Sequence, residues 1–358
     1  MQLLMTADTV GGIWTYALEL AAALTPLGCE TVLAILGPAP NAAQRVQAAR
    51  VPGLRLIETG LQLDWLAAGP VEVREAARAI ALLAKTENAD LVQLNQPALA
   101  AEPMPVPVVA AVHSCVATWW RAAGEGPLPE SFEWQTALVR SGLARADAVV
   151  CPSSAFAAAV ADTYQLRTPP LVVYNGRSAV PAKAGALHDF AFTAGRLWDP
   201  GKNVATLDRA ASRLGILVKA AGALTGPNGN HITLEHIHAT GMLDEAALAN
   251  CYSARPVFVS TALYEPFGLA VLEAALAGCP LVLSDIPTFR ELWGGVALFV
   301  PPNDALGFAD VIEELIGDTS VRLARGEAAR QHAARFTPER AAKAWAAIYR
   351  STGHRVAA

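Results

Sequence analysis

Short apolar runs recur along the first half of the chain, and stretches with helical periodicity separate them. The runs lie at 2–6, 31–36, 55–58, 91–95, 106–112 and 148–152, and helical patterns cover 14–24 and 71–87. Alternation of buried strands with helices is typical of parallel, doubly wound sheets. The pattern predicts an α/β domain with a Rossmann-like arrangement.

The second half repeats this alternation. An apolar strand is predicted to start at 190. Further strands are predicted at 216–222, 231–234, 256–261 and 281–284, and a last strand, followed by a turn, is predicted within 296–304. Helical patterns follow a turn at 241–254 and cover 306–316, 321–334 and 338–351. Between the halves, at 172–189, a strand runs into Asn-Gly and then into a segment rich in Ala, Pro and Gly. With 358 residues the chain suits two domains, which we expect at 1–176 and 188–336.

Composition narrows the class of protein. Hydrophobic residues make up 53% and charged residues 16% of the chain, which favours buried parallel sheets over disorder. A net charge of −5 offers no basic field for nucleic acid, so we expect no nucleic-acid partner. The five cysteines are scattered without metal-like pairing, as expected for reduced cytosolic thiols.

No targeting signal is evident at the start of the sequence. The first residues lack a basic region and reach Asp8 early, and no apolar run approaches the roughly 18 residues of a membrane span. We expect a soluble, cytoplasmic protein, and contact of an apolar surface with a membrane stays open.

The stretch LYEPFGLAVLEAALAGCP, at 263–280, carries the clearest chemistry. A proline is tolerated in the first turn of a helix, so Pro266 predicts that a helix begins there. The N–H groups of Phe267, Gly268 and Leu269 would then lie at its positive end, which suits phosphate. Glu265 precedes this helix and Glu273 lies about two turns into it, so both carboxylates are candidates for binding one ligand.

Two glutamates separated by seven residues enclose the sequence PFGL. This motif resembles that of the retaining glycosyltransferases of family 4, the glycosyl transferases group 1, which have the GT-B fold. The resemblance implies two Rossmann-like domains that face each other across a cleft. It assigns contacts with the donor sugar to Glu265, the donor diphosphate to the N–H groups of 267–269, and the nucleotide ribose to Glu273. The alternative is a plain amphipathic helix with one carboxylate near its start and one in solvent.

Two cations follow the first strand of the second domain. Arg196 and Lys202 stand at the spacing that many family members use to neutralise the diphosphate, whose negative charge grows as it departs. The family often has a glycine after this lysine, whereas Asn203 stands here, which leaves the loop shape open. Solvated surface cations are the alternative.

The first domain contributes further candidates. Gly11 and Gly12 follow the first strand, and the resemblance implies that this turn approaches the donor phosphate; a plain tight turn is the alternative. His113 directly follows a buried strand, where the family commonly has a histidine that faces the donor sugar, and Ser114 is a weaker candidate. A structural histidine is the alternative.

Two further elements take their roles from the resemblance alone. The turn at Met242 and Leu243 would lie against the nucleotide base through its backbone, and Asp244 is a plausible helix cap. The C-terminal helix, at 338–358, would cross back and join the first domain; a helix of the second domain is the alternative.

The segment at 118–134 contains three tryptophans between glycine and proline turn signals. One interpretation is a loop whose aromatic side chains fill a gap in the first domain. The other is an acceptor platform, because Trp faces stack on sugar rings. Arg121, Glu125 and Glu130 would then be candidates for binding acceptor hydroxyls, and the first domain would be the acceptor side.

The resemblance implies a metal-independent enzyme that moves a sugar from a UDP-, GDP- or ADP-sugar to a hydroxyl of a saccharide, lipid-linked or small-molecule acceptor. It implies retention of configuration by a front-face mechanism, with His113, Arg196, Lys202 and Glu265 as the catalytic set. His231, His236 and His238 are close in sequence, but no third metal ligand is evident on one strand face. A sugar-nucleotide 2-epimerase and a non-catalytic nucleotide-sugar-binding protein remain alternatives, and the oligomeric state is open.

Overall fold

The computed structural model describes residues 1–178 and 185–356. The chain divides into two compact units, the first made of Met1–Gly176 with Thr337–Ala358 and the second of Arg177–Phe336. Six residues of the predicted connection, 179–184, and the last two residues of the predicted C-terminal helix, 357 and 358, lie outside the described residues.

In the described residues, the first unit contains a parallel sheet of seven strands in the order β3-β2-β1-β4-β5-β6-β7. Its central strands are apolar and buried, as parallel sheets covered on both faces require. The strands are β1 (Gln2–Ala7), β2 (Glu30–Ile35), β3 (Leu54–Glu58), β4 (Leu91–Leu94), β5 (Val108–Ala111), β6 (Ala148–Cys151) and β7 (Leu171–Val172).

The helices of the first unit connect these strands or pack on the sheet. They are α1 (Gly12–Leu24), α2 (Ala42–Ala49), α3 (Pro70–Thr86), α4 (Val116–Ala123), α5 (Glu133–Arg145), α6 (Ser154–Tyr164) and the last helix, α13 (Pro338–Val356). Short 3-10 turns cover Thr25–Leu27, Pro97–Ala101 and Glu130–Phe132. Helix α13 packs against α1, and its Tyr349 hydroxyl donates a hydrogen bond to Gln93 on β4.

The second unit, where it is described, contains a parallel sheet of six strands in the order β10-β9-β8-β11-β12-β13. The strands are β8 (Phe190–Ala194), β9 (Leu217–Ala221), β10 (His238–Gly241), β11 (Val257–Ser260), β12 (Leu281–Ser284) and β13 (Leu298–Val300). The helices are α7 (Val204–Ala211), α8 (Glu245–Ser253), α9 (Leu269–Leu276), α10 (Pro287–Trp293), α11 (Ala305–Gly317) and α12 (Thr319–Ala333), with a 3-10 turn at Pro200–Lys202.

Two apolar clusters form the core of the second unit. One contains Phe192, Phe258 and Trp293, and the other contains Val259, Phe308 and Ile312. Because Phe258 and Val259 are neighbours on β11, the two clusters cover opposite faces of the sheet. The sheet of the second unit is therefore packed on both faces.

Three predictions from the sequence are wrong in detail. Residues 231–234 form no regular strand; a single bridge joins His231 to Thr225, and β10 begins only at His238. The Ile232 N–H donates locally to the Leu224 carbonyl at 3.0 Å, and Asp208 accepts hydrogen bonds from the N–H groups of residues 235–237, between this segment and β10.

The second error concerns Pro266, which does not lie in a first helical turn because α9 begins three residues later, at Leu269. The third concerns the tryptophan segment, which is largely helical rather than a loop. Trp119 and Trp120 lie on α4 and Trp134 lies on α5. Within the described residues, no helix is both long enough and apolar enough to cross a membrane.

Candidate functional site

Lys202 and Glu265 form an ion pair at the carboxyl edge of the second sheet, where its strands end. Lys202 lies on the loop after β8 and Glu265 on the loop after β11, and these two strands are neighbours in the sheet. In open α/β sheets this edge is where ligands bind. The side chains are 22% and 15% exposed, so both charges are reachable and only partly screened by solvent.

Backbone hydrogen bonds join the two loops. The carbonyl of Gly201 accepts from the N–H groups of Leu263 and Tyr264, with N···O distances of 2.9 and 3.1 Å. The Asn203 side-chain amide donates to the Thr261 carbonyl at 3.0 Å, and the Thr261 hydroxyl donates to the Asn203 carbonyl at 2.9 Å. The position of Lys202 relative to Glu265 is thus set by the backbone.

Asn203 explains how the lysine loop tolerates the absence of the glycine that the family often has. Its φ of 51° lies in the left-handed region, which asparagine adopts more readily than most residues. Its side chain also accepts from the Thr206 hydroxyl at 2.9 Å, at the start of α7. The substitution preserves the turn and adds hydrogen bonds to it.

Arg196 lies on the same loop as Lys202 but has different partners. Its guanidinium contacts the Asp199 carboxylate at 2.9 Å and lies over the Trp198 ring, 5.8 Å from the ring centroid. The structure therefore pairs Lys202, but not Arg196, with Glu265. A role of Arg196 at the diphosphate stays a prediction.

The amino end of α9 lies beside Glu265 and is built on a glycine. Gly268 has a φ of 92°, and a Cβ at this position would approach the Glu265 Cγ and a ring carbon of Phe289 to 3.3 Å. Both the backbone conformation and the space favour glycine. This left-handed residue also explains why the helix begins at Leu269 rather than at Pro266.

The first N–H groups of α9 are available to a ligand. Within the described part of the chain, the N–H groups of Gly268 and Leu269 have no hydrogen-bond acceptor. The side chain of Phe267 is 3% exposed and its ring packs edge-on against Phe336, so only its backbone remains a candidate. Free amides at the positive end of a helix attract anions.

A small pocket connects these features. Gly195, Lys202 and Glu265 line it together with Ala270 and Val271 from the first turns of α9. A cation and a carboxylate therefore line one space, and the first turn of α9 closes one side of it. This combination suits a ligand that carries both phosphate and hydroxyl groups.

Glu273 lies further along α9 and has an arginine partner that no sequence pattern indicated. The Arg177 Nε donates to the Glu273 Oε1 at 2.9 Å, and both side chains are less than 15% exposed. Arg177 also reaches the Glu245 carboxylate at 3.3 Å. Its only distinction in the sequence is that it follows the Asn-Gly turn.

The turn before α8 contains the helix cap that the sequence predicted. Asp244 caps α8 by accepting from the Ala247 N–H at 2.8 Å. The Met242 side chain is 77% exposed, whereas Leu243 packs against the apolar core. Contact of this turn with a nucleotide base stays a prediction.

In the first unit, Gly11 and Gly12 lie where β1 passes into α1. Gly11 is the extended N-cap residue and Gly12 is the first residue of the helix. Neither has a positive φ, so the pair is not required by backbone conformation here. Gly11 is partly exposed and Gly12 is exposed, so approach of this turn to a donor phosphate stays a prediction.

His113 lies just after β5, at the same edge of the first sheet. Its Nε2 is 3.1 Å from the Asn95 Oδ1, and its ring packs edge-on against Tyr16 with 4.3 Å between centroids. Burial lowers the pKa of His113 to about 3, so the imidazole is neutral at pH 7. A cationic role for His113 is excluded by this environment.

Asp64 is a titratable group that the sequence did not single out. It lies after β3, and burial, with a smaller contribution from Asp8, raises the pKa of its carboxyl to about 6. The Trp65 N–H donates to Asp64 at 2.9 Å, and Asp8 directly follows β1. The local sequence LQLDWL gives no sign of a partly buried carboxyl group with a raised pKa.

The tryptophan segment shows the contacts of a packed helix and turn. The Trp120 Nε1 donates to the Pro127 carbonyl at 3.0 Å, and its ring packs edge-on against Phe132. Arg121, an acceptor candidate, forms an ion pair with Asp162. Glu125 and Glu130 are exposed. Acceptor binding by this segment stays a prediction.

In the part of the chain that the structure describes, no group of three His, Cys, Asp or Glu side chains is arranged to hold a metal ion. The His231 Nδ1 lies 2.8 Å from the Thr225 hydroxyl and so has a protein partner.

Comparisons with known proteins match both halves of the chain. A family model described as Glycosyltransferase Family 4 matches residues 10–178, and one described as Glycosyl transferases group 1 matches residues 188–318. The D-inositol 3-phosphate glycosyltransferase of Corynebacterium urealyticum is 36% identical over 106 residues, which are 29% of this chain and 25% of that protein. The glycogen synthase of Mycobacterium tuberculosis is 35% identical over 103 residues, 28% of this chain and 25% of that protein. The matches thus span about a quarter of the length of these curated relatives.

Solved structures resemble the chain over nearly its full length. The sucrose-phosphate synthase of Thermosynechococcus elongatus has a TM-score of 0.74 at 18% identity and covers 98% of this chain and 99% of its own. An Anabaena protein in complex with UDP-glucose has a TM-score of 0.74 at 18% identity, with 98% and 100% covered. The GT-B fold predicted from the sequence is confirmed.

Proposed function

Because the chain belongs to the GT-B glycosyltransferases of family 4 and group 1, we propose that it transfers a sugar from a nucleoside diphosphate sugar to an acceptor hydroxyl. The observation that carries the proposal is the pairing of Lys202 with Glu265 beside the unoccupied amides of Gly268 and Leu269. A diphosphate needs the cation and the amides, and sugar hydroxyls need the carboxylate.

The chemistry follows from where charge develops. As the bond between the sugar and the diphosphate breaks, negative charge accumulates on the leaving phosphate. Lys202 and the α9 amides are held in place by backbone contacts before the ligand arrives, so they stabilise this charge without reorganising. On donor binding, Lys202 shares its charge between Glu265 and the phosphate.

Glu265 orients the donor by accepting hydrogen bonds from sugar hydroxyls. Its ion pair with Lys202 fixes the direction of the carboxylate. Glu273, held by Arg177, takes the ribose hydroxyls, and the exposed turn at Met242 lies against the base. His113 contacts the donor sugar, and Gly11 and Gly12 leave room for phosphate; Arg196 adds positive charge.

Retention of configuration by a front-face reaction, without a metal ion, completes the proposal. In this mechanism the leaving phosphate helps remove the acceptor proton, and the protein supplies positioning and charge stabilisation. The alternative is a double displacement, which needs a carboxylate nucleophile beside the donor sugar. Inversion of configuration or a trapped glycosyl-enzyme would contradict the front-face proposal.

The acceptor and the donor base are proposed only by class. The acceptor is a hydroxyl of a saccharide, a lipid-linked or a small molecule, and a UDP-sugar is the first donor to test because a structural neighbour binds UDP-glucose. The proposed location is the cytoplasm, because nucleotide sugars are available there and free cysteines stay reduced there.

The experiment starts from binding and proceeds to transfer. Thermal shifts are measured with UDP, GDP and ADP, because a ligand that binds only the folded state raises the melting temperature. The nucleotide that binds is then supplied as its sugars, with EDTA, and release of the nucleoside diphosphate is followed with and without an acceptor panel. Acceptor-dependent release supports the proposal. Conversion of the donor without an acceptor would indicate an epimerase, and binding without any conversion would indicate a sensor.

A further inference from the structure

A chain of buried hydrogen bonds leads from the last helix to His113 inside the first unit. The Tyr349 hydroxyl, on α13, contacts the Gln93 Oε1, and the Gln93 Nε2 contacts the Asn95 Oδ1 at 2.9 Å. The same Nε2 contacts the Tyr16 hydroxyl at 3.0 Å. The Asn95 Oδ1 then contacts the His113 Nε2 at 3.1 Å. Tyr349, Gln93, Asn95 and Tyr16 are all at most 6% exposed.

One contact determines which atom donates and which accepts in each of these hydrogen bonds. The Asn95 Nδ2 lies 2.7 Å from the backbone carbonyl of Thr6, which can only accept. This contact fixes which end of the Asn95 amide carries the oxygen. The Oδ1 is therefore an acceptor, and both groups that contact it, the Gln93 Nε2 and the His113 Nε2, must donate. Gln93 in turn leaves its Oε1 to accept from Tyr349.

This logic places the proton of the neutral imidazole on Nε2. The opposite nitrogen, Nδ1, then carries the lone pair, and it has no hydrogen-bond partner within the described residues. The titratable groups that face this network are Tyr16 and Tyr349, and burial raises the pKa of both hydroxyls. The network is therefore uncharged at neutral pH.

We propose that Asn95, oriented by Gln93 and Tyr349, is a positioning residue that holds His113 as the Nε2–H tautomer, so that Nδ1 accepts a hydrogen bond from a hydroxyl of the donor sugar. The identity of this ligand rests on the proposed function; the tautomer does not. A lone pair can accept from a hydroxyl but repels a phosphate oxygen. His113 thus recognises sugar and not diphosphate.

The imidazole is accessible to such a ligand. His113 is partly exposed at the carboxyl edge of the first sheet, whereas its partners are buried. Tyr16 packs edge-on against the ring and Asn95 holds one nitrogen, and a ring flip that exchanged the two nitrogens would break the hydrogen bond to Asn95. The helix α13 contributes through Tyr349, whose ring also packs on Trp345.

The tautomer is tested directly by NMR of the full chain labelled with 15N-histidine. Long-range 1H–15N correlation distinguishes a protonated from an unprotonated ring nitrogen, and His113→Gln identifies the signals of His113 among those of the seven histidines. The expected result is a protonated Nε2 and an unprotonated Nδ1, unchanged from pH 6 to pH 8. A protonated Nδ1, or an imidazolium at pH 7, would overturn the proposal.

Two variants test the positioning role. Asn95→Leu removes the acceptor and is expected to shift the His113 population towards the other tautomer. Tyr349→Phe removes a single hydroxyl at the far end of the chain and keeps the ring packing, so it serves if Asn95→Leu does not fold; it is expected to shift the same signals by a smaller amount. Unchanged ring signals in Tyr349→Phe and in folded Asn95→Leu would reduce the network to a structural role.

Activity provides a separate readout once a donor is known. Loss of one well-placed hydrogen bond predicts about a tenfold lower kcat/KM for the donor in Asn95→Leu. Addition of the sugar donor, but not of the nucleoside diphosphate alone, is expected to shift the Nδ1 signal of the wild type. A shift caused by the diphosphate alone would contradict the sugar assignment. If no donor binds while the tautomer is as expected, the proposed function fails and the tautomer assignment stands.

Discussion

The polar groups around Glu265 are ions, whereas those around His113 are neutral. In the second unit, Lys202 pairs with Glu265 and Arg177 pairs with Glu273, and all four side chains are partly exposed. In the first unit, His113, Asn95 and Gln93 form hydrogen bonds without a charged partner in the described residues. Charged groups suit the negative charge that develops on a departing diphosphate, whereas the neutral network offers a sugar hydroxyl only a fixed acceptor. Under the proposed function, charge stabilisation is therefore expected from the second unit alone.

The largest effect should follow from removing the carboxylate of the ionic region. Glu265→Gln keeps the shape of the side chain but removes its charge and loosens Lys202, and we expect sugar transfer to fall at least about a hundredfold. The measurement is the initial rate of nucleoside diphosphate release with acceptor. Glu245→Gln is the matched control, because Glu245 is half exposed and contacts Arg177 only at 3.3 Å. Equal rates for the two variants would remove Glu265 from the site.

A backbone change at the start of α9 should have the next largest effect. Gly268→Ala places a methyl group 3.2 to 3.3 Å from Val271, Glu265 and Phe289 at a φ of 92°, so we expect about tenfold weaker nucleotide binding together with about 1 to 3 kcal/mol lower stability. Binding is measured by calorimetry and stability by urea unfolding.

The variant Gly278→Ala distinguishes the cost of alanine in the left-handed conformation from the effect of a methyl group at the start of α9. Gly278 has a similar φ of 79°, lies just beyond the other end of α9, and has nothing within 4 Å of an added Cβ. We expect a stability cost of about 1 kcal/mol with unchanged affinity. Equal affinity in both variants would show that the amides of α9 do not bind the nucleotide.

A smaller effect is expected at the ion pair further along the helix. Arg177→Met removes the donor that orients Glu273, so nucleoside diphosphate affinity should fall about fivefold, which is less than the loss of a direct charge-assisted hydrogen bond because Arg177 acts through Glu273. The same variant should leave the affinity for inorganic pyrophosphate unchanged, since Glu273 is assigned to the ribose. Equal losses for both ligands would place Arg177 at the phosphates instead.

The smallest effect concerns a carboxyl group of the first unit and appears in stability alone. The folded pKa of Asp64, about 6, exceeds the ordinary value of about 3.9, so the folded state holds the proton more tightly and stability falls as pH rises from about 4 to 6. Above pH 6, Asp64→Asn should be more stable than the wild type by roughly 1 to 2 kcal/mol, because the carboxyl is only partly buried. The measurement is urea unfolding at pH 4 and pH 7. A difference between the two proteins that does not change with pH would contradict the raised pKa.

Much of the fold was predictable because parallel strands buried on both faces leave a simple apolar signature. The runs at 2–6, 91–95 and 281–284 coincide with β1, β4 and β12 to within about one residue. The apolar run at 231–234 misled because its backbone pairs locally, through the Ile232 N–H and the Leu224 carbonyl, and because Asp208, distant in sequence, binds the N–H groups of residues 236 and 237 that follow. Such tertiary contacts leave no local pattern.

The candidate site was predictable where the motif itself supplies the chemistry. Glu265 and Lys202 were nominated from spacing, and the structure brings them together. The start of α9 was not predictable, because the tolerance of proline in a first helical turn gives no information about the left-handed conformation of Gly268. Arg177 and the Gln93–Asn95 network escaped because each partner is brought in from a different element, and no periodicity connects them.

Binding of UDP, GDP and ADP to wild type and to Lys202→Met, measured by calorimetry at low and at physiological salt, tests the central claim most directly. The claim predicts that one of these nucleotides binds the wild type, that the variant loses at least about tenfold in affinity for it, and that the loss shrinks as salt screens the charge. Equal affinities of the wild type and of a folded Lys202→Met variant would contradict it, because the diphosphate would then lie away from the Lys202–Glu265 pair.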